Sequence, residues 1–494
     1  MTRFYRLRPQ ITAACWLSFA GLLLACSTAC STVSPTATAS SSPISTPALA
    51  PGPTPTFQSD VPQLTESHLQ LDYWLQKTAA AEQTLLSLAE IKRFNQHLIN
   101  ILPDVVDVFA EPDSYPAATV KKMIVDLSHA STNPRFNQVG QPLTTQHWRH
   151  YEQGLALAQL PTKVAASFAL VTSRGSLRTF PTQDAVFSSA TDQQLDRFQE
   201  TAVFPGEALQ VLHYSQDRQW AFVRHYHYNG WLATAHFALA KKSVVQQFVG
   251  ATDFILITGA KASTNVTPEM PQASAVQLEM GVKLPRVRQH QPVLHGQNAA
   301  FSYVVQLPIR NPDGMLQLVS ALIARNQDVA EQYLPLTKAN ILGQAFKFLG
   351  ERYGWGHDLN ARDCSGFIGE VFRSFGFMLP RNTGSQGHVE FGAVRPLAGA
   401  SLAEKKQSLL QAQAGDLIFM PGHVMLVLGQ EQGETFVIHD VAGLHYFKDD
   451  GSYYDSRLNG VSITPLSPLQ RNPQQSYIDG IYLLKSLSRE FYAD

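Results

Sequence analysis

Cys364, His423 and His439 are the residues whose types and spacing could carry covalent chemistry. Cys364 stands in Asp363-Cys364-Ser365-Gly366-Phe367, and Phe367, Ile368, Val371, Phe372 and Phe375 then recur at helical period until Gly376. That pattern predicts a helix with Asp363 near the N-cap and the cysteine in its first turn. A helix start presents unpaired N–H groups and a partial positive charge, which favour thiolate over thiol. With a histidine to assist, such a thiol is expected below its usual value of about 8.5. The same N–H groups could hold the oxyanion of a tetrahedral intermediate. His423 opens the apolar run Val424–Leu428, 59 residues after the cysteine, and His439 closes Phe436-Val437-Ile438 sixteen residues later. Two histidines at the ends of neighbouring strands, facing a cysteine at a helix start, meet the logic of nucleophile, base and orienter. Taken singly, a cysteine is usually a small buried hydrophobe and a histidine usually structural, so the joint pattern carries the reading. His388 and His445 read as surface residues, and are the fallback if either strand is misplaced.

These residues need elements to position them. Ile341, Ala345, Phe348 and Leu349 mark an amphipathic helix ending near Gly350, followed by the glycine-spaced aromatic loop Arg352-Tyr353-Gly354-Trp355-Gly356. Gly415-Asp416-Leu417-Ile418-Phe419 reads as the strand before His423. In order, Tyr353-Gly354-Trp355-Gly356, Asp363-Cys364-Ser365-Gly366-Phe367, Leu379-Pro380-Arg381, Gly415-Asp416-Leu417, His423-Val424 and His439 resemble the NlpC/P60 cysteine peptidases, over about residues 335–490. The resemblance implies a papain-like α+β domain in which the cysteine helix packs on an antiparallel sheet bearing the histidines. It implies Cys364 as nucleophile, His423 as general base and His439 as its orienting partner. Tyr353 and Asp363 match positions that reach a substrate amine or the cysteine, and Ser365 and Thr383 match substrate-contacting positions. It also implies a substrate: peptidoglycan stem peptides, cut between γ-D-Glu and the diamino acid. His357 replaces a glycine common in relatives, which puts the loop's shape in question. An acidic contact often comes from the first SH3-like domain in this family, and no position for it follows from the sequence.

The chain of 494 residues is too long for one ordinary domain. Residues 61–165 have helical texture: Leu85, Leu88, Ile91, Phe94 and Leu98 form one face, and Tyr73 and Trp74 read as core. Residues 166–243 change to short strands, among them Ser167–Val171, Ala208–Leu212 and Trp220–Val223, with Gly230-Trp231 introducing the last. Ser176-Leu177-Arg178, Phe180-Pro181 and Ser215–Trp220 resemble the bacterial SH3-like domains of cell-wall proteins. Residues 244–308 read as a second, degenerate barrel with strands at Asp253–Ile257 and Ala300–Val305, and 309–494 as the catalytic domain. The whole is expected to be an α+β multidomain protein, similar to a subgroup with a helical segment and two SH3-like β-barrels before the catalytic domain. Arg224-His225-Tyr226-His227-Tyr228 reads as a half-exposed strand edge, with metal or aromatic binding as the alternative.

The first residues read as an address. Arg3, Arg6 and Arg8 precede the uncharged run Ile11–Ala25, short for a membrane span and right for a signal peptide. Leu23-Leu24-Ala25-Cys26 resembles a bacterial lipobox, which makes 1–25 a lipoprotein signal peptide and Cys26 the lipidated residue; an ordinary signal peptide cut near Ala25 or Ala29 is the alternative. Ser27 resembles the outer-membrane sorting pattern, so a cell-envelope lipoprotein on the periplasmic face is expected, attached to the membrane by its lipid anchor. Residues 26–60 then form a linker: between 31 and 58, 23 of 28 residues are Ser, Thr, Pro, Ala or Gly. A formal net charge of −1 argues against a nucleic-acid partner. Four cysteines exclude a disulfide-dense scaffold, no CxxC or HExxH motif suggests zinc, and no cofactor is implied. Two other functions fit less well: a non-catalytic wall-binding lipoprotein, and an acyltransferase using the same thioester chemistry.

Overall fold

The computed structural model describes residues 57–487, so Cys26 and the expected signal peptide lie outside the described residues. The first β unit is a seven-stranded antiparallel sheet. Its order is Gln199–Val203, Gly175–Arg178, Asn229–Ala233, Trp220–Arg224, Ala208–Tyr214, Ser167–Val171 and Phe237–Ala240. Successive strand residues point to opposite faces, yet Trp220–Val223 is apolar throughout because both faces are covered. Ala221 and Val223 join a cluster with Leu177, Leu209 and Leu232. Trp220 and Phe222 turn the other way, into a cluster with Val120, Ile124 and Tyr151 from the helices Ala117–Leu127 and Thr145–Gly154.

The helical segment therefore has no core of its own, a correction to its reading as a domain over 61–165. Its later helices cover the barrel, while the helix Leu88–Ile101 packs Ile91, Phe94 and Leu98 among Phe367, Phe372 and Phe377 of the C-terminal domain. Trp74 is fully buried in that cluster, and its indole donates to the carbonyl of His68 at 2.8 Å. Leu88 leaves the expected stripe: Ser87 caps the helix by accepting from the Glu90 amide, and Leu88 at its first position stays 42% exposed.

A second β unit follows, with Phe254–Ile257 between Lys283–Pro285 and Val329–Ala330, and the hairpin Ser302–Arg310/Leu316–Ala324 beside it. The expected boundary at 308 cuts through the first strand of that hairpin. Its ladder runs unbroken from Ser302–Ala324 to Arg310–Leu316, and Val305, Leu307, Ile309 and Ile323 share one core with Ile255 and Leu284. Residues 309–330 thus belong to this unit, because their inward alternation completes its core rather than the next.

The C-terminal domain is a six-stranded antiparallel sheet, ordered Ala393–Pro396, Leu483–Ser486, Leu417–Met420, His423–Glu431, Glu434–Phe447 and Tyr453–Pro465. The helices Lys338–Phe346 and Cys364–Arg373 lie on one face, where Phe367, Ile368 and Phe372 meet Val424, Leu426 and Ile438. Burial of each such side chain contributes about 1.5–3 kcal/mol, which fixes the helix on the sheet. Met425, Val427 and Val437 face a separate core with Leu409 and Ile478.

Candidate active site

Cys364 begins its helix as the spacing requires. The Asp363 carboxylate caps it, accepting from the Gly366 amide at 2.9 Å. The sulfur is buried, 3.7 Å from the Thr383 hydroxyl and 4.0 Å from the carbonyl of Gly422, and the Val424 amide donates to it. Burial, reinforced by the negative charge of Asp363, pushes the thiol up to about 12. This reverses the lowered value expected at a helix start. Partial charges on the helix amides are outweighed by loss of water and by the neighbouring carboxylate.

His423 is the first residue of its strand, and His439 lies within the adjacent strand. Their rings meet at 2.8 Å, Nε2 of His423 to Nδ1 of His439, and Nε2 of His439 reaches the Thr464 hydroxyl at 2.9 Å. Among the described hydrogen bonds none joins the sulfur to either ring, and Nδ1 of His423 is the ring nitrogen left without a partner. Burial holds His423 down to about 4, with Arg471 adding to the effect, and burial also drives His439 well below its ordinary value. Both rings are therefore neutral at pH 7. For Nδ1 of His423 to accept a proton, its Nε2–H must donate to His439, whose own Nε2–H then donates to Thr464.

Arg381 organises the floor of the site. Its guanidinium donates to Asp363 at 2.7 Å, to the Ser365 hydroxyl at 2.8 Å and to the Thr201 hydroxyl of the first barrel at 2.6 Å. The Gly356 amide adds a bond to Asp363 at 2.9 Å. Burial alone would raise Asp363, but the charge of Arg381 and these bonds hold it at about 2. Ser365, expected to contact substrate, is buried and bonded to Arg381 and Asp363 in this network. Asp363 is likewise fully engaged, as a cap and ion-pair partner. Thr383 stands partly exposed beside the sulfur. Tyr353 is half-buried, and burial together with the charges of Asp363 and Cys364 raises its hydroxyl.

His357 answers the question about the loop. It has φ +66°, follows Gly356 at φ +57°, and turns a buried ring to Glu370 at 3.1 Å. The ring lies so close to the cysteine helix that a Cβ at Gly366 would meet it at 2.6 Å, so glycine is required there. Burial holds His357 at about 4.

The 224–228 segment is corrected from a half-exposed strand edge. It is the turn joining Trp220–Arg224 to Asn229–Ala233, with His225 and His227 buried because the C-terminal domain covers them. His227 reaches the carbonyl of Leu379 at 3.3 Å, and Tyr228 donates to the carboxylate of Glu200, which also accepts from Thr179 at 2.6 Å. Sequence reasoning gave no role to Arg381, though it stood in a quoted motif, nor to Thr464 and Glu200. A lone threonine in an apolar strand and a glutamate in a barrel strand carry no signal until the chain is folded. His388 is paired with Glu390 at 3.9 Å and His445 with Asp455 at 3.2 Å, both partly exposed.

Comparison with known proteins agrees with this architecture. Residues 350–462 match the NlpC/P60 family and residues 184–233 the SH3 domain of SH3b1 type. No curated protein matches the chain. Among solved structures, an NlpC/P60 endopeptidase from Photobacterium damselae subsp. piscicida superposes with a TM-score of 0.67 at 15% identity, covering 84% of this chain and 97% of the other. An NlpC/P60 family protein from Bacillus cereus gives a TM-score of 0.44 at 19% identity, over 65% of this chain and all of the other. A peptidoglycan hydrolase from Mycobacterium tuberculosis gives 0.20 at 21% identity, over 30% of this chain and 64% of the other. The first of these shares the fold across most of the chain, while residues 350–462 carry an NlpC/P60 domain, of a family whose members are in general cysteine peptidases, with an SH3 domain of SH3b1 type ahead of it.

Proposed function

We propose that the protein is a peptidoglycan stem-peptide hydrolase that cleaves the γ-D-Glu–diamino acid bond, with Cys364 as nucleophile, His423 as base and His439 as orienter. The observation that carries this reading is the chain His423–His439–Thr464, which leaves one unpaired imidazole nitrogen at the strand end beside the capped cysteine. Nδ1 of His423 takes the thiol proton as the sulfur bonds to the γ-carbonyl carbon. The imidazolium and the negative charge passing through sulfur to the carbonyl oxygen arise together, so each offsets the cost of burying the other. The free amides at the start of the cysteine helix hold the oxyanion. The intermediate collapses to a thioester, the imidazolium protonates the departing amine, and water delivered through the same imidazole releases the γ-D-Glu acid and restores the thiol.

Tyr353 and Thr383 border the sulfur and would contact substrate. Glu200, on the first barrel near Arg381, is the candidate acidic group for a free L-Ala amine; burial raises its carboxyl, and a bound ammonium would favour its ionised form. Barrel residues packed against the catalytic loops support a narrow cleft, suited to short peptides with that amine free. Attachment at Cys26 would hold the enzyme on the periplasmic face of the outer membrane. Digestion of L-Ala-γ-D-Glu-diaminopimelate, read by mass, should yield L-Ala-D-Glu and diaminopimelate, and Cys364→Ala should yield neither. An intact tripeptide after prolonged incubation with the reduced protein would refute the assignment. Faster release from intact sacculus than from the tripeptide would defeat only the narrow cleft.

A further inference from the structure

A cavity of about 480 Å³ opens where the helix Leu88–Ile101, the first barrel, the second β unit and the far end of the cysteine helix meet. It is separate from the site above. Arg373, the last residue of the cysteine helix, is on its wall, nine residues beyond Cys364 and so about 13 Å away along the axis. Its volume falls within the range of small-molecule sites.

The charges on its wall are not all used. Arg373 is neutralised by Glu207 at 2.7 Å, and Glu207 is also bonded to the Phe204 amide. Lys283 gives one hydrogen bond, to the carbonyl of Val249 at 2.8 Å, and has no carboxylate partner among the described residues. Lys92 is exposed on the same cavity, close enough for its charge to lower Lys283 further after burial has done so. Asp107 is the one acid on the wall besides Glu207, and it is exposed. His225 is also among the lining residues. It is 2% exposed, and its Nε2 faces Glu207 at 3.3 Å, which adds to the groups already engaging that carboxylate. Leu88, Ile99, Phe109 and Phe377 form an apolar stretch of the remaining wall, which also carries Asn95, Gln96, Tyr226 and Tyr333. This gives the outward turn of Leu88 a use beyond capping geometry.

We propose that this junction cavity is a second ligand site, for an amphiphile with an anionic headgroup and a short apolar body. The headgroup lies between Lys92 and Lys283 and the body lies along the apolar wall. Carboxylate and phosphate share this chemistry, and the probes below distinguish them.

The test is titration of the protein, monitored by calorimetry below micelle-forming concentrations, with octanoate, octyl phosphate, octylamine and octyl glucoside. One of the two anions should bind at least about tenfold tighter than the amine and the glucoside. Lys92→Glu, at an exposed position, should weaken it by a similar factor without lowering the melting temperature of the free protein, and Lys283→Gln should weaken it likewise. Octanoate leading would assign a carboxylate, and octyl phosphate a phosphate. Equal binding of all four probes, preference for the amine, absence of binding, or an unchanged affinity in Lys92→Glu would overturn the proposal.

Discussion

At the scale of single residues, the sulfur is held as a thiol and the imidazoles as neutral rings. With Cys364 pushed up to about 12, the thiolate fraction of the free protein should grow about tenfold per pH unit between about pH 7 and pH 10. Alkylation by iodoacetamide, followed by mass, should show that slope; a plateau already reached near pH 6 would mean a thiolate–imidazolium pair that pre-exists substrate. Thr464 is predicted to hold the tautomer that leaves Nδ1 of His423 free to accept. Thr464→Val removes one buried hydrogen bond, about 1 kcal/mol, and should lower kcat by about fivefold or more while leaving KM near its starting value. An unchanged kcat would remove Thr464 from the relay. That Cys364 starts a helix and that His423 and His439 lie on neighbouring strands was legible in the sequence, because titratable types stood at the ends of apolar runs. The direction of the thiol shift was not, since it depends on how completely other loops exclude water.

At the scale of elements, the cysteine helix is fixed at both sides of its first turn. Arg381 ties Asp363 and Ser365 to Thr201 on the barrel, and replacing it would strand a buried carboxylate. Arg381→Met should therefore cost about 3–5 kcal/mol, seen as a large fall in the thermal or urea midpoint. Because Asp363 sits at about 2 when folded against an ordinary 3.8, this stabilisation is present above about pH 4 and is lost as pH falls through 2. The pH dependence of stability between about pH 2 and 4 should accordingly flatten in Arg381→Met; retention of the full slope would contradict it. The helix and strand periods of this domain were readable, and the 417–420 and 423–431 strands fall where the apolar runs put them, whereas the third strand runs on past His439 to Phe447, which places His439 within it rather than at its end. The 224–228 turn was misread because alternating His and Tyr imitate a strand edge. Its burial comes from a domain far along the chain.

At the scale of the whole molecule, cores are shared rather than assigned to consecutive stretches. Trp74, Ile91, Phe94 and Leu98 complete the core of the C-terminal domain, and 309–330 complete that of the second β unit. A fragment beginning at 309 lacks those four side chains and carries a severed hairpin, so it should be poorly soluble or molten where residues 57–487 unfold cooperatively. Phe94→Ala in the full chain should cost about 3–5 kcal/mol by the same reasoning. A sharp, unchanged denaturation of the 309–494 fragment would restore the sequence-based boundary. Composition and texture located the β-rich stretches, but boundaries depend on which faces meet, and that information is not local. The most direct measurement at this scale is to quench the full protein in acid during turnover of L-Ala-γ-D-Glu-diaminopimelate and map any adduct by mass. An L-Ala-D-Glu acyl group on the peptide containing Cys364 is the expected result; turnover with no adduct on that peptide, persisting in Cys364→Ala, would contradict it.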